Sequence, residues 1–143
     1  DTKFEENVAL LKTYIGSDPS VIDYLVKKGT KGIVIEATGM GHVPTNSKKS
    51  WIPHIKSAIN RGVPVAITSQ TLYGRVDPHV YSNLRTLAET GAIFCEDMLS
   101  ETAYIKLGWV LGHPSWKNRT KAQMLTNVAG EITQRISSDA FLY

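Results

Sequence analysis

Short runs of β-branched residues alternate along this chain with stretches whose apolar positions recur three and four residues apart. The first run, Val8–Ile15, predicts a strand. Asp18-Pro19 then predicts a helix start, with Asp18 as N-cap and Pro19 at the first helical position. Val21, Ile22, Leu25 and Val26 make one helical face, and Gly29 ends that helix as a left-handed residue. Within Ile33–Pro44 an apolar strand, fit for burial on both faces, runs straight into the turn Gly39-Met40-Gly41-His42. The next helix carries Ile52, Ile55 and Ile59 on one face and stops at Gly62. Val63–Ser69 reads as a third strand, with Pro64 near its start where the ladder tolerates it. After the loop Gln70–Val76, Asp77-Pro78 repeats the cap-and-proline device; Val80, Leu84 and Leu87 form the stripe and Gly91 the stop. Ala92–Cys95, extended toward Asp97, is the fourth strand. Ser100 caps a long helix through Gly112 with Ile105 and Trp109 facing the sheet, Asn118–Val128 is a further helix, and the tail beyond Ile132 is polar and frayed.

Strands alternating with helices at this spacing imply βαβ crossovers, a parallel sheet and right-handed connections. Without a low-complexity linker, residues 1–143 read as a single α/β domain. The carboxyl ends of its strands are where an open α/β sheet binds ligands, so the Gly39–His42 turn is the first place to look for chemistry.

Composition narrows the picture. Hydrophobic residues make up 42% and charged residues 20%, as in an ordinary soluble globule. No apolar run approaches the ~18 residues of a membrane-spanning helix. The opening residues Asp1–Glu6 are too charged for a signal peptide and lack an initiator Met, so the chain reads as a C-terminal fragment of a longer protein. A lone cysteine, Cys95, excludes an internal disulfide and fits a cytoplasmic setting. The net charge of +3 comes from scattered Lys and Arg, which solvated helix faces explain as well as nucleic-acid contact does.

The turn does not fit a nucleotide motif. Pro44 stands where a dinucleotide fingerprint needs its third glycine, and no Lys follows in phosphate-loop spacing. Two readings stay open: a tight strand exit, or a loop that brings backbone and His42 to a ligand. His42 itself reads as a base, a hydrogen-bond donor or an exposed loop residue. His54, His79 and His113 lack the spacing of paired metal ligands, and no C-x-x-C occurs, so no metal site is expected. Cys95 is expected to be buried and inert. Glu96 and Asp97 point to opposite sides of the fourth strand and suit capping or ligand contact, not a shared proton. Glu36 needs a partner for its charge and marks a sheet surface open to another domain or subunit. Gln70, Thr71, Tyr73 and Arg75, with Tyr81 beyond, could recognise a carboxylate or amide, yet they contain no nucleophile–base–orienter set. These residues read as part of a site.

Four segments carry a family resemblance: GIVIEATGMGHVP (Gly32–Pro44), TSQTLYGRV (Thr68–Val76), CEDMLSETAYIKLGWVLGH (Cys95–His113) and NVAGEI (Asn127–Ile132). Together they resemble the C-terminal domain of bacterial-type L-asparaginases, and within that family most closely the glutaminase component of archaeal glutamyl-tRNA(Gln) amidotransferases. The resemblance implies a three-layer Rossmann-like domain with a four-stranded parallel sheet flanked by helices. It implies a threonine nucleophile in a preceding N-terminal domain, so no catalytic residue is assigned within this chain. It also implies a homodimer in which this domain lends substrate-binding residues across the interface. The family's substrate-contacting asparagine falls on His42, beside Gly41, and its contributed glutamate falls near Tyr81; both are departures from the periplasmic asparaginase pattern.

The reaction implied is hydrolysis of L-glutamine or L-asparagine at the side-chain amide, releasing ammonia for a partner subunit that converts Glu-tRNA(Gln) to Gln-tRNA(Gln). That partner subunit would use ATP and Mg, this domain no cofactor, and tRNA would be met through the complex. No membrane contact is implied. Two other readings stand beside this one: the C-terminal domain of a free L-asparaginase, and a non-catalytic ligand-binding or interaction module.

Overall fold

The computed structural model describes residues 1–46 and 48–133. Its sheet has four parallel strands, β1 (Val8–Lys12), β2 (Gly32–Ala37), β3 (Val65–Ser69) and β4 (Ile93–Phe94), in the order β1-β2-β3-β4. The register sets Leu10 against Val34, Ile35 against Ile67, and Ile67 against Phe94. Helices α1 (Ser20–Lys27), α2 (Ile52–Asn60) and α3 (Ser82–Ala88) connect the strands; α4 (Ser100–Leu111), a 3-10 turn (Pro114–Arg119) and α5 (Thr120–Leu125) follow β4.

A strand order that always advances in one direction puts every right-handed crossover on the same face. That is how the layers divide. Ile33, Ile35, Val65, Ile67 and Phe94 pack with Ile22 of α1, Ile55 of α2, and Leu84 and Leu87 of α3. Alternate residues Val34, Ala66, Ile93 and Cys95 face the other way and pack with Ala103, Leu107 and Val110 of α4 and Met124 of α5. The second face is covered because the chain continues past β4 and folds back. Each fully buried branched side chain in these two layers contributes about 1.5–3 kcal/mol.

The N-terminal segment lies on α4, which explains two glycines of that helix and its C-terminal end. The Phe4 ring occupies the space a side chain at Gly108 would need, and the Lys3–Phe4 backbone does the same at Gly112. Glu5 N–H donates to the Gly108 carbonyl at 2.9 Å. No helix among the described residues is long and apolar enough to cross a membrane.

Several expected boundaries shift for identifiable reasons. The Asp18 carboxylate accepts the Ser20 N–H at 2.9 Å, the work expected of a cap, while the regular helix starts at Ser20. That hydrogen bond holds the exposed Asp18 carboxyl below its ordinary pKa. Asp77 likewise accepts from His79 N–H at 2.8 Å, but its own N–H is tied to the Met40 carbonyl, and α3 begins only at Ser82. Val80 is therefore exposed and not part of the α3 stripe. On α4, Ala103, Leu107 and Val110 face the sheet, whereas Ile105 is 57% exposed. Ser100 caps nothing: it is the first residue of α4, its side chain turned inward. Asn118–Val128 divides between the 3-10 turn and α5. The frayed tail expected beyond Ile132 lies, from residue 134 on, outside the described residues.

Candidate functional site at the carboxyl edge of the sheet

The loops after β1, β2, β3 and β4 all leave the sheet at one edge, because the strands are parallel. The turn after β2 is closed by a two-way backbone pair: Thr38 N–H donates to the His42 carbonyl at 3.0 Å, and His42 N–H to the Thr38 carbonyl at 2.8 Å. Gly39 (φ +51°) and Gly41 (φ +105°) supply the left-handed conformations the reversal needs. Gly41 is also pressed against the core: a Cβ there would stand 3.1 Å from Phe94, 3.3 Å from Ile67 and 3.4 Å from Val76. The turn thus rests on the ends of β3 and β4 and presents a half-buried His42.

Tyr81, just before α3, meets that histidine. The two rings lie 5.4 Å apart, centroid to centroid, with planes at 50°. The loops at this edge also expose apolar side chains. Tyr14 and Ile15 after β1, Leu72 and Tyr73 after β3, and Val80 beside Tyr81 are all exposed, Ile15 completely and Tyr73 to 90%.

Other polar residues expected at the site are already engaged. Gln70 Nε2 donates to the carbonyls of Thr13 (2.6 Å) and Glu36 (3.1 Å), clipping the ends of β1 and β2 to the β3 loop. Arg75 pairs with Glu96 at 2.5 Å and donates to the Thr133 carbonyl at 2.7 Å. Asp97 accepts the Thr133 N–H at 3.0 Å. Burial pushes the Asp97 carboxyl up, but the Thr133 amide and then Arg75 outweigh it and hold its pKa below the ordinary value. Glu96 takes a left-handed backbone (φ +59°), and its carbonyl accepts from Val76 N–H at 2.9 Å. Glu96 thus fastens the β3 loop, and Asp97 the backbone at Thr133.

Glu36 finds its partners inside this chain. Lys12 lies 3.4 Å from its carboxylate, and Ser100 Oγ donates to it at 3.3 Å. Ser100 Oγ also lies 2.9 Å from Thr68 Oγ1, so the start of α4 is sewn to β2 and β3. Cys95 is wholly buried, and burial pushes its thiol up to about 12, which removes it as a nucleophile at neutral pH. His54 pairs with Asp23 at 2.7 Å between α1 and α2, and His113 with Asp1 at 2.5 Å. Among the described residues no group of three or more His, Cys, Asp or Glu is placed to hold a metal ion.

A second feature leaves no mark on the sequence pattern. Lys106 is buried on α4, its Nζ paired with Glu131 and donating to the Thr126 carbonyl at 2.5 Å. Glu131 in turn accepts the N–H groups of Ala129 (2.6 Å) and Val128 (3.1 Å). A groove of about 460 Å³ between α4 and this loop is lined by Ile105, Trp109 and Val128 among others, none of them from the His42 turn.

Residues 7–124 match the family described as Glutaminase/Asparaginase C-terminal domain. The D subunit of the glutamyl-tRNA(Gln) amidotransferase of Pyrococcus furiosus is 54% identical over 142 residues, covering 99% of this chain and 32% of that protein. Its namesake from Thermococcus kodakarensis is also 54% identical, covering 99% of this chain and 31% of that protein. The chain therefore spans about a third of the length of the curated relatives it matches. Among solved structures, the thermostable L-asparaginase from Thermococcus kodakarensis superposes with a TM-score of 0.85 at 33% identity, covering 94% of this chain and 40% of that one. L-asparaginase I from Vibrio cholerae gives 0.79 at 27% identity, covering 90% and 38%. Sheet order, layer arrangement and sequence agree: the chain belongs to the glutaminase/asparaginase C-terminal domain family.

Proposed function

We propose that this chain is the C-terminal domain of the amidohydrolase component of a glutamyl-tRNA(Gln) amidotransferase, a glutaminase-type protein that supplies ammonia for tRNA-dependent amidation. The observation that carries this reading is the carboxyl edge, where the His42 and Tyr81 rings stand together and the strand-exit loops expose apolar side chains. Such a face suits one wall of a site that a second protein surface completes. The 54% identity to the amidotransferase relatives, against 33% to the superposed L-asparaginase, favours the amidotransferase over a free asparaginase.

In this reading the nucleophile, a threonine, lies in a preceding N-terminal region of the full-length protein. Its hydroxyl attacks the side-chain amide of L-glutamine or L-asparagine, ammonia leaves, and water cleaves the threonyl ester. His42 and Tyr81 orient the substrate across a homodimer interface, with Gly41 allowing the close approach. The ammonia is used by a partner subunit that consumes ATP with Mg and amidates Glu-tRNA(Gln) in the cytoplasm, so tRNA is met by the complex.

The full-length protein is expected to release ammonia from L-glutamine or L-asparagine, and the purified 143-residue chain to release none. A coupled ammonia assay decides it. Turnover by the isolated chain would overturn the shared-site reading.

A further inference from the structure

Ser69 closes β3, opposite Ala37 in the register. Its neighbour Thr68 faces α4 through Ser100, so alternation sends Ser69 to the opposite face, beside the Gly39–His42 turn. There its Oγ lies 2.5 Å from the Gly39 carbonyl, 2.8 Å from Thr71 Oγ1 and 3.1 Å from Thr71 N. A carbonyl only accepts, so the Ser69 proton goes to Gly39. The Ser69 oxygen then accepts from the Thr71 amide and the Thr71 hydroxyl. One proton and two lone pairs are all committed, which leaves Ser69 nothing to offer a ligand.

Within the turn, Thr38 pairs with His42 and accepts the Gly41 N–H at 3.0 Å, while the Gly39 and Met40 carbonyls are held from outside it. Two of its five residues are glycines, which have many conformations available once a tether is lost. Asp77 N–H fixes the Met40 carbonyl at 3.1 Å from the β3 loop, and Ser69 fixes the Gly39 carbonyl from the strand itself. We propose that Ser69 is a positioning residue whose hydroxyl, acting through the Gly39 carbonyl, sets where His42 stands at the carboxyl edge. This rests on the reading of His42 as a substrate contact.

The test is a double-mutant cycle in the full-length protein, read as ammonia release from L-glutamine and L-asparagine. Ser69→Ala is expected to raise KM about tenfold with a smaller change in kcat, the equivalent of ~1.4 kcal/mol for one lost hydrogen bond. Ser69→Thr keeps the hydroxyl and is expected to stay within about twofold of the parent, with an unchanged melting temperature. In a His42→Ala background, Ser69→Ala is expected to add less than about twofold, since both act through one group. Full additivity, or Ser69→Ala kinetics equal to the parent while His42→Ala is impaired, overturns the positioning role and leaves the site reading intact. Failure of Ser69→Thr to rescue also overturns it. If His42→Ala is itself without effect, the site reading falls and the role of Ser69 falls with it.

Discussion

Replacing Lys106 with methionine is expected to destabilise the protein by about 3–5 kcal/mol, the usual effect of removing one partner of a buried ion pair. Lys106 and Glu131 are 6% and 9% exposed, so the surviving carboxylate would stay buried with only backbone amides for company. The loop from Asn127 to Ile132 is organised around that carboxylate. Val128 and Ala129 donate to it, while Asn127 accepts from Gly130 N–H at 2.9 Å and donates to the Ile132 carbonyl at 2.8 Å. Chemical denaturation with matched far-UV spectra measures the loss. A double variant, Lys106→Met with Glu131→Gln, is expected to recover part of it, because no unpaired charge then remains.

The same pair predicts an acid limb in stability. Burial raises the Glu131 pKa, but Lys106 and then the Ala129 and Val128 amides outweigh it and bring the group from 4.5 to about 2. A carboxyl whose folded pKa is depressed stabilises fully above its unfolded value and loses that contribution as pH falls through the folded one. The window therefore runs from about pH 4.5 down to about pH 2, with an upper limit of roughly 3 kcal/mol. Glu131→Gln is expected to flatten this limb.

Gly41→Ala is expected to cost about 2–4 kcal/mol and to disable the site, whereas Gly39→Ala costs about 1 kcal/mol. The two glycines look alike in sequence and differ in surroundings. At φ +105° Gly41 lies beyond the region alanine tolerates, and its new methyl would press on Phe94, Ile67 and Val76. At φ +51° Gly39 sits in the common left-handed region, with only the His42 Nδ1 at 4.0 Å. Thermal unfolding of both variants, with amide hydrolysis by the full-length protein, separates them. Equal losses at the two positions would contradict the packing account.

Strand β2 and its turn are readable in the sequence because local chemistry decides them: a run buried on both faces, then two glycines. The face of α4 is not. That helix is apolar on nearly all sides, so periodicity cannot choose between Ile105 and Leu107, and burial of Lys106 depends on Glu131 25 residues away. Helix α3 starts late because Asp77 is held by Met40, a contact across 37 residues that no cap signal records. At the site, the family resemblance points to His42 and Tyr81 separately, and the fold puts their rings side by side. Gln70 and Arg75 look like ligand-binding groups by type, but tertiary hydrogen bonds have already taken them. Ser69 carries no signal in the sequence, because a serine ending a strand is ordinary until its carbonyl partner, 30 residues back, is seen.

In the proposed function the His42 edge is a working wall of an amide-hydrolysing site. Steady-state kinetics of His42→Ala in the full-length protein, with L-glutamine and L-asparagine as substrates, tests it most directly. Loss of a hydrogen bond to a charged substrate group predicts a fall in kcat/KM of roughly tenfold to a hundredfold, carried mainly by KM, at unchanged stability. Kinetic constants equal to those of the parent protein would contradict the claim.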